Sequence, residues 1–144
     1  MKILGVIPAR GGSEGIPKKN IKLLNGKPLI AYTIEAAIKS KLNRVVVSSD
    51  CNEILKVSKK YGADIFKRQS KLAKNDTPTL PVIREVVSNM YEKFDAIMTL
   101  QPTSPLRNFR NINKSIEIFK KDKKADSLVS VVAVPHIYMP EKQM

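Results

Sequence analysis

The chain has 144 residues, and its 26 lysines and arginines outnumber its 13 aspartates and glutamates, giving a formal net charge of +13. This length suits one core, so we expect residues 1–144 to form a single domain. The apolar runs are far shorter than the ~20 residues that span a bilayer, and no signal-like segment opens the chain, which predicts a cytoplasmic protein without membrane contact. Cys51 is the only cysteine, which excludes an internal disulfide.

The positive charge raises the question of nucleic-acid binding. Most of the excess is lysine, scattered over the ends and outer faces of predicted helices, where it complements the helix dipole and keeps the surface hydrated. Arginine, which pairs better with phosphates and base edges, is scarce, and we find no aromatic ladder, zinc-ligand spacing or recognition helix. The sequence therefore does not favour a nucleic-acid partner, and a basic nucleic-acid-binding domain is the weakest alternative.

The apolar pattern predicts strands and helices in alternation. Short apolar and β-branched runs predict strands at 3–7, 44–49, 63–67, 95–100 and 127–134. Apolar residues recurring every three or four positions predict helices at 28–41, 54–61, 80–93 and 109–119. In the third helix the repeating residues are Leu80, Ile83, Val87 and Met90. Gly62 is placed to end the second helix, and Asn108 to cap the fourth. The alternation predicts an α/β fold, with a mainly parallel sheet and helices on both faces.

Three polar clusters, at residues 10–20, 48–50 and 101–107, each follow a predicted strand. In parallel sheets, ligands bind beyond the carboxyl ends of the strands. We therefore expect the three clusters to meet at one edge of the sheet and to form one crevice.

The first cluster belongs to the loop PARGGSEGIPKKN, residues 8–20. Glycines in this loop allow backbone N–H groups to converge on an anion; they are Gly11, Gly12 and Gly15. Arg10 can bind phosphate oxygens with two N–H groups, and Lys18 or Lys19 can add a mobile charge. The loop is neither a Walker loop nor a GxGxxG dinucleotide loop. It is predicted to bind a polyphosphate, and the alternative is a flexible surface loop.

The third cluster, LQPTSPLR at residues 100–107, combines two prolines with hydrogen-bonding side chains. Rigid polar loops at strand ends usually orient a ligand. The alternative is a stiff turn from strand to helix, in which hydroxyl groups bond the local backbone.

Five motifs, PARGGSEGIPKKN, NGKPLIAYTIEAA, VVVSSD, NDTPTLPVI and LQPTSPLR, occur in this order. In them the chain resembles the acylneuraminate cytidylyltransferases, or CMP-N-acetylneuraminate synthetases. The resemblance implies a Rossmann-like fold of the nucleotide-diphospho-sugar transferase, glycosyltransferase-A-like type. It implies a reaction of CTP, with Mg²⁺, and a sialic-type nonulosonic acid that gives a CMP-sugar and pyrophosphate. The 3-deoxy-manno-octulosonate cytidylyltransferases are a weaker match.

The resemblance also implies roles for individual residues. The residues implied to hold the reacting triphosphate are Arg10 and Lys19. Those implied to bind the nucleotide are Gly11, Gly12, Ser13, Asn20, Arg68, Asp76, Thr77 and Thr79. Those implied to bind or shape the sugar-acid side are Gln101, Thr103, Ser104 and Arg107.

The sequence departs from the family pattern at two points. Glu14 stands where the family usually has lysine, which is expected to weaken nucleotide binding through like-charge repulsion. Family members also continue beyond the length of this chain, through a dimer-forming segment and two metal-binding aspartates. Asp50 and Asp76 are the only candidate Mg²⁺ ligands here, so the metal site is unknown. A catalytically impaired nucleotide-binding remnant is therefore an alternative, and we expect the isolated chain to be marginally stable or to associate.

Overall fold

The computed structural model describes residues 1–13 and 15–133 of the chain. Within these residues lie the strands β1 (Ile3–Pro8), β2 (Leu23–Leu24), β3 (Lys27–Pro28), β4 (Arg44–Ser49), β5 (Asp64–Lys67) and β6 (Ala96–Thr99). The helices are α1 (Leu29–Ile38), α2 (Asn52–Lys60), α3 (Thr79–Ser88) and α4 (Phe109–Lys121). Two short 3-10 turns cover Lys19–Ile21 and Ser70–Leu72.

Four of the strands form one parallel sheet in the order β5-β4-β1-β6. In the centre of the sheet, Val6 of β1 pairs with Val46 of β4 on one side and with Thr99 of β6 on the other. β1 and β4 are therefore inner strands, which explains why both are continuous apolar runs rather than alternating ones. The predicted parallel α/β sheet is confirmed.

Alternate residues of β1 face two separate apolar layers. Ile3 and Ile7 pack in a cluster with buried residues of α1, α2 and α4. Leu4 and Val6 pack on the opposite face, in a cluster that contains Val86 of α3. Three helices therefore cover one face of the sheet and one helix covers the other, as the period of two along a strand requires.

The direction of the chain across the sheet reverses at β1. From β1 the chain proceeds to β4 and then β5 on one side, and it returns to place β6 on the other side. Such a reversal opens a crevice beyond the carboxyl ends of the two strands that flank it. Here those strands are β1 and β6.

Helix caps at two predicted positions are confirmed. Gly62 follows α2 with a φ of +90°, the left-handed conformation that glycine adopts without strain. The Asn108 side chain accepts hydrogen bonds from the N–H groups of Arg110 (2.9 Å) and Asn111 (3.2 Å) at the start of α4.

The predicted third helix was wrong in its end, and its buried face was only partly as predicted: Ile83 and Met90 pack against the core, whereas Val87 is 38% exposed. α3 ends at Ser88, not near residue 93, because Asn89 leaves the helix and its amide donates to the Glu85 carbonyl oxygen at 2.8 Å. The side chains that α3 buries are those of Val82 and Val86, whereas Leu80 is 55% exposed.

A short hairpin, β2–β3, was not predicted. Its turn is Asn25-Gly26, and both residues have positive φ, at 49° and 77°. Asn-Gly is the favoured sequence for such two-residue turns, so the signal was present in the sequence.

The strand predicted at 127–134 is not a strand in its described part, residues 127–133. Val131 is 89% exposed, and Val132 is 83% exposed. β-branched residues favour a strand only when a neighbouring strand accepts their backbone hydrogen bonds, and no such neighbour is present among the described residues. The last predicted position, 134, lies outside the described residues.

The helices in the described part of the chain are all too short or too polar to cross a membrane.

Candidate functional site

A cleft of about 390 Å³ lies at the carboxyl end of the sheet, where the chain direction reverses. Its walls come from three segments: the loop after β1, the segment between β5 and α3, and the loop after β6. Pro8 ends β1 beside it, and Gln101 follows β6. The first and third predicted polar clusters therefore meet at one edge.

Two hydrogen bonds hold the loop after β1, one to Asp50 after β4 and one within the loop itself. The N–H of Gly11 donates to Asp50 Oδ1 at 2.8 Å, and the Asn20 side-chain amide donates to the Arg10 carbonyl oxygen at 3.0 Å. Asn20 is buried while still contributing to the cleft wall. These bonds fix the backbone around Arg10, so its guanidinium extends from a defined position.

The three glycines of this loop differ in importance. A Cβ at Gly11 would lie 2.8 Å from the Cβ of Cys51, so this position excludes any side chain. A Cβ at Gly12 or Gly15 would meet nothing within 4 Å, and neither residue has a positive φ. Close approach of the backbone to Cys51, the residue before α2, rather than unusual dihedrals throughout the loop, explains the glycine at position 11. Glu14 lies outside the described residues.

The two lysines at the end of the loop point to different partners. Lys18 Nζ pairs with both carboxylate oxygens of Glu53 at 2.9 Å, and this hydrogen bond raises the pKa of Lys18. Lys19 lines the cleft instead. Of the two lysines that the sequence proposed as a phosphate charge, only Lys19 contributes to the cleft wall.

Arg68, just after β5, is the most buried cation of the cleft, with 5% of its surface exposed. Its Nε donates to Ser48 Oγ at 3.1 Å, and its Nη2 donates to the Ser48 carbonyl oxygen at 2.8 Å. Burial lowers the pKa of this guanidinium, and the charges of Asp50 and Glu85 partly oppose that shift. Arginine keeps its proton in proteins, so Arg68 brings a fixed positive charge to the floor of the cleft.

The Ser48 carbonyl oxygen has a second donor. The N–H of Ala9, in the loop after β1, donates to it at 2.9 Å. The second polar cluster, residues 48–50, therefore does not line the cleft but bonds to the loops that do.

The segment between the second 3-10 turn and α3 closes the cleft from the side of β5. Arg10 Nη1 donates to the Lys74 carbonyl oxygen at 3.2 Å, which connects this segment to the loop after β1. The N–H of Thr77 donates to the same oxygen at 3.2 Å, which closes a turn. Thr77 and Thr79 line the cleft, whereas Asp76 lies in the turn, exposed to solvent and outside the lining.

One carbonyl group holds the loop after β6 in place by accepting two hydrogen bonds from within the loop. The Gln101 carbonyl oxygen accepts from Arg107 Nη2 at 2.7 Å and from the N–H of Ser104 at 3.4 Å. Burial lowers the pKa of Arg107. Gln101 and Thr103 line the cleft. Ser104 and Arg107 lie outside the lining and hold the Gln101 backbone through these two hydrogen bonds.

Most of the predicted site residues come together here. Those that line the cleft are Arg10, Ser13, Lys19, Asn20, Arg68, Thr77, Thr79, Gln101 and Thr103. Those that adjoin it without lining it are Gly11, Gly12, Asp76, Ser104 and Arg107. The sequence interpretation missed Lys74, a lining residue whose signal was its place directly before the polar turn Asn75-Asp76-Thr77.

No carboxylate among the described residues lines the cleft, so the described lining offers Mg²⁺ no acidic ligand. Hard cations require several oxygen ligands, and no group of three or more Asp, Glu, His or Cys side chains that could hold a metal exists within residues 1–13 and 15–133. Of the two predicted candidates, Asp50 accepts a backbone hydrogen bond and Asp76 is outside the cleft.

The parallel sheet, the crevice at the reversal of chain direction and the cationic lining define a nucleotidyltransferase-like α/β protein. The chain belongs to the cytidylyltransferase family, because the sequence model of that family matches residues 4–141. The resemblance noted from the five motifs is thereby confirmed.

Two curated relatives and one solved structure illustrate the match. The chain is 42% identical over 142 residues to CMP-N,N'-diacetyllegionaminic acid synthase of Legionella pneumophila, covering 93% of this chain and 60% of that protein. It is 37% identical over 131 residues to N-acylneuraminate cytidylyltransferase of Escherichia coli, covering 90% of this chain and 31% of that protein. The structure of CMP:2-keto-3-deoxy-manno-octonic acid synthetase complexed with CTP superposes with a TM-score of 0.75 at 22% identity, over 86% of this chain and 49% of that one, and shows the same fold.

The chain thus spans from about a third to three-fifths of the length of these curated relatives.

Proposed function

We propose that the chain is the nucleotide-binding part of a cytidylyltransferase that activates a sialic-type nonulosonic acid with CTP. In this reaction a hydroxyl oxygen of the sugar acid attacks the α-phosphorus of CTP. A phosphorus–oxygen bond to the sugar forms, the bond to the leaving pyrophosphate breaks, and the hydroxyl proton is released to solvent, which gives a CMP-sugar and pyrophosphate. Its curated relatives, named for neuraminate and legionaminic acid derivatives, support this substrate class.

One observation carries the proposal: several cations converge on a single cleft at the reversal of chain direction. Arg10 and Lys19 lie in the loop after β1, and Arg68 follows β5, yet all three line the same space. Phosphoryl transfer depends mainly on positioning and on neutralising phosphate charge, rather than on a protein nucleophile. A cleft lined by several cations suits that chemistry.

The walls of the cleft suggest a division of labour. Arg10 and Lys19 bind the triphosphate, and the buried charge of Arg68 orients it from the floor of the cleft. Thr77 and Thr79 offer hydroxyl groups to the nucleoside on the side of α3. On the opposite side, Gln101 and the loop after β6 contact the sugar acid.

Calorimetric titration of CTP into the purified chain tests the proposal, with Arg10→Ala as the key variant. Loss of a charge-assisted hydrogen bond to phosphate is expected to weaken CTP binding roughly 10- to 100-fold. The matched control is Arg110→Ala, because Arg110 is an exposed arginine on α4 outside the cleft lining. Equal CTP affinity in the wild type and in Arg10→Ala would contradict the assignment.

Pyrophosphate release with a panel of sugar acids tests the transfer step separately. Release that requires both CTP and a nonulosonic acid supports the full reaction. Release with 3-deoxy-manno-octulosonate alone would instead assign the chain to the eight-carbon substrate. Tighter binding of a random oligonucleotide than of CTP would support the basic nucleic-acid-binding alternative.

A second candidate is a module that binds CTP or a CMP-sugar without turning it over. It is favoured by the lack of a metal-ligand cluster in the described part of the chain. Tight CTP binding with no pyrophosphate release for any sugar acid would support it over the transferase.

A further inference from the structure

Lys74 is a cation of the cleft that no resemblance assigned. It lies in the segment between β5 and α3 and lines the same space as Arg10, Lys19 and Arg68. Its backbone is fixed, because its carbonyl oxygen accepts from Arg10 Nη1 and from the N–H of Thr77, each at 3.2 Å.

The side chain of Lys74 is not committed elsewhere. Some lysines have paired ammonium groups, such as Lys18 with Glu53 and Lys27 with Glu35, both within 3 Å. Lys74 makes no ion pair with any described residue. A lysine with a pinned backbone and an unpaired ammonium group can reach an anion in the cleft without first breaking an ion pair.

The charged side chains of the described cleft lining are all positive. Arginine or lysine side chains contribute four positive charges to it, and no carboxylate contributes to it among the described residues. Two acidic groups outside the lining are engaged with backbone groups: Asp50 accepts the Gly11 N–H, and Glu85 accepts the Gln69 N–H at 3.3 Å. Four cations match the charge of a metal-free nucleoside triphosphate, which carries about four negative charges near neutral pH because its last phosphate proton has a pKa near that range.

We propose that Lys74 is the fourth cation of a phosphate site that binds a nucleoside triphosphate without a divalent metal ion. This inference rests on the proposed function, because it takes the ligand of the cleft to be CTP. It follows from two observations together: four side-chain cations line the cleft, and no carboxylate of the described residues lines it to offer a ligand to Mg²⁺. In such a site, Mg²⁺ competes with the protein for phosphate oxygens rather than bridging the two.

The substitution Lys74→Met tests the role of the charge, since methionine keeps a long unbranched side chain. CTP binding, measured by calorimetry in EDTA, is expected to weaken roughly 3- to 10-fold, an effect reduced from that of a buried pair because Lys74 is exposed. Cytidine, which lacks phosphates, is expected to bind Lys74→Met and the wild type equally. Lys74→Arg is expected to restore CTP affinity to within about twofold, because it restores the charge.

Lys71→Met is the matched control. Lys71 is an exposed lysine three residues earlier, in the second 3-10 turn, and it is not part of the cleft lining. Its substitution removes the same charge from the protein as a whole, so it is expected to leave CTP affinity within twofold of the wild type. Equal weakening by Lys71→Met and Lys74→Met would show that only net charge matters and would overturn the proposal.

A second experiment tests the metal requirement by comparing the CTP affinity of the wild type in EDTA with its CTP affinity in excess Mg²⁺. Affinity in EDTA is expected to equal or exceed that in Mg²⁺, and binding that requires Mg²⁺ would overturn the inference while leaving the proposed function intact. Failure of the wild type to bind CTP under either condition would refute the proposed function itself. Unchanged CTP binding in Lys74→Met, with Arg10→Ala impaired, would refute only the role of Lys74.

Discussion

The inner strands β1 and β4 and the outer strand β6 support the cleft in different ways. β1 and β4 are hydrogen-bonded to neighbours on both edges, and their central residues, such as Val6 and Val46, are fully buried. Among the described residues β6 pairs only with β1, and its residues alternate between half-buried and exposed, with Ile97 at 37% exposure. An edge strand has fewer contacts to hold its position than a central one.

This difference divides the cleft into two halves. The arginines proposed for the nucleotide follow β1 and β5 and bond to backbone groups around them, Arg10 to Lys74 and Arg68 to Ser48. The loop proposed for the sugar acid is carried by β6. The comparison teaches that the nucleotide half is anchored to both inner strands, through the loop after β1 and through the bond of Arg68 to Ser48 of β4, whereas the sugar half is carried by the outer strand β6.

The largest expected effect contrasts two isoleucines on these strands. Ile7→Ala, in β1, removes a fully buried side chain and is expected to lower the free energy of unfolding by about 2–5 kcal/mol. Ile97→Ala, in β6, is expected to cost less than about 1 kcal/mol because its side chain is already partly in water. Urea unfolding followed by circular dichroism measures both.

Should Ile7→Ala not fold, Ile7→Val provides the same contrast at about 0.5–1.5 kcal/mol. Similar losses at the two positions would mean that the outer strand is as firmly held as the inner ones.

A smaller effect tests the separation of the two halves. Gln101→Ala is expected to weaken sugar-acid binding roughly 3- to 10-fold, the effect of one lost hydrogen bond, while CTP affinity stays within twofold. Calorimetry with a CTP analogue that cannot release pyrophosphate, followed by titration of the sugar acid, separates the two ligands. Gln69→Ala, outside the cleft lining, is the control. Loss of CTP affinity in Gln101→Ala would show that the halves are not independent.

The smallest expected effect concerns the attachment of α4, the helix that follows the open edge. Lys41 Nζ donates to Glu117 Oε1 at 2.7 Å, and this contact lowers the pKa of Glu117 below its ordinary value of 4.5. A carboxyl group with a lowered pKa in the folded state stabilises the fold above its ordinary pKa, and this contribution is lost as pH falls through the folded value. The pair is exposed, so the effect is small.

Glu117→Gln should therefore slightly lower the urea concentration at the midpoint of unfolding at pH 7. It should have no effect once the pH is well below the lowered pKa of Glu117 in the folded state. A difference between variant and wild type that persists unchanged in acid would assign the effect to packing rather than to charge.

Much of the fold was readable from periodicity, because buried parallel strands and amphipathic helices leave strong patterns. Ile112 and Ile116 of α4 are buried as predicted. The prediction failed where tertiary pairing decides the outcome. Val131 and Val132 have the β-branched side chains of a strand, yet without a neighbour they remain exposed. Local propensity cannot supply the missing partner.

The candidate site was predictable in part, for a similar reason. Arg10 and Gln101 follow strands whose ends the α/β rule brings together, so elementary topology suffices for them. Arg68 was named only through family resemblance, because no local pattern shows that its guanidinium turns inward to Ser48. Lys74 was missed, since Arg10 and Lys19, two of the cations that it joins in the cleft, are distant from it in sequence.

The shared oxygen of Ser48 has a consequence for how this protein tolerates change. Because that one atom accepts from both Ala9 and Arg68, any shift of β4 displaces two walls of the cleft in concert. A substitution in β4, whose residues do not line the cleft, is therefore expected to move the walls that we propose to bind the nucleotide. The wall carried on β6 makes no hydrogen bond to that oxygen, so this atom does not couple it to such a shift.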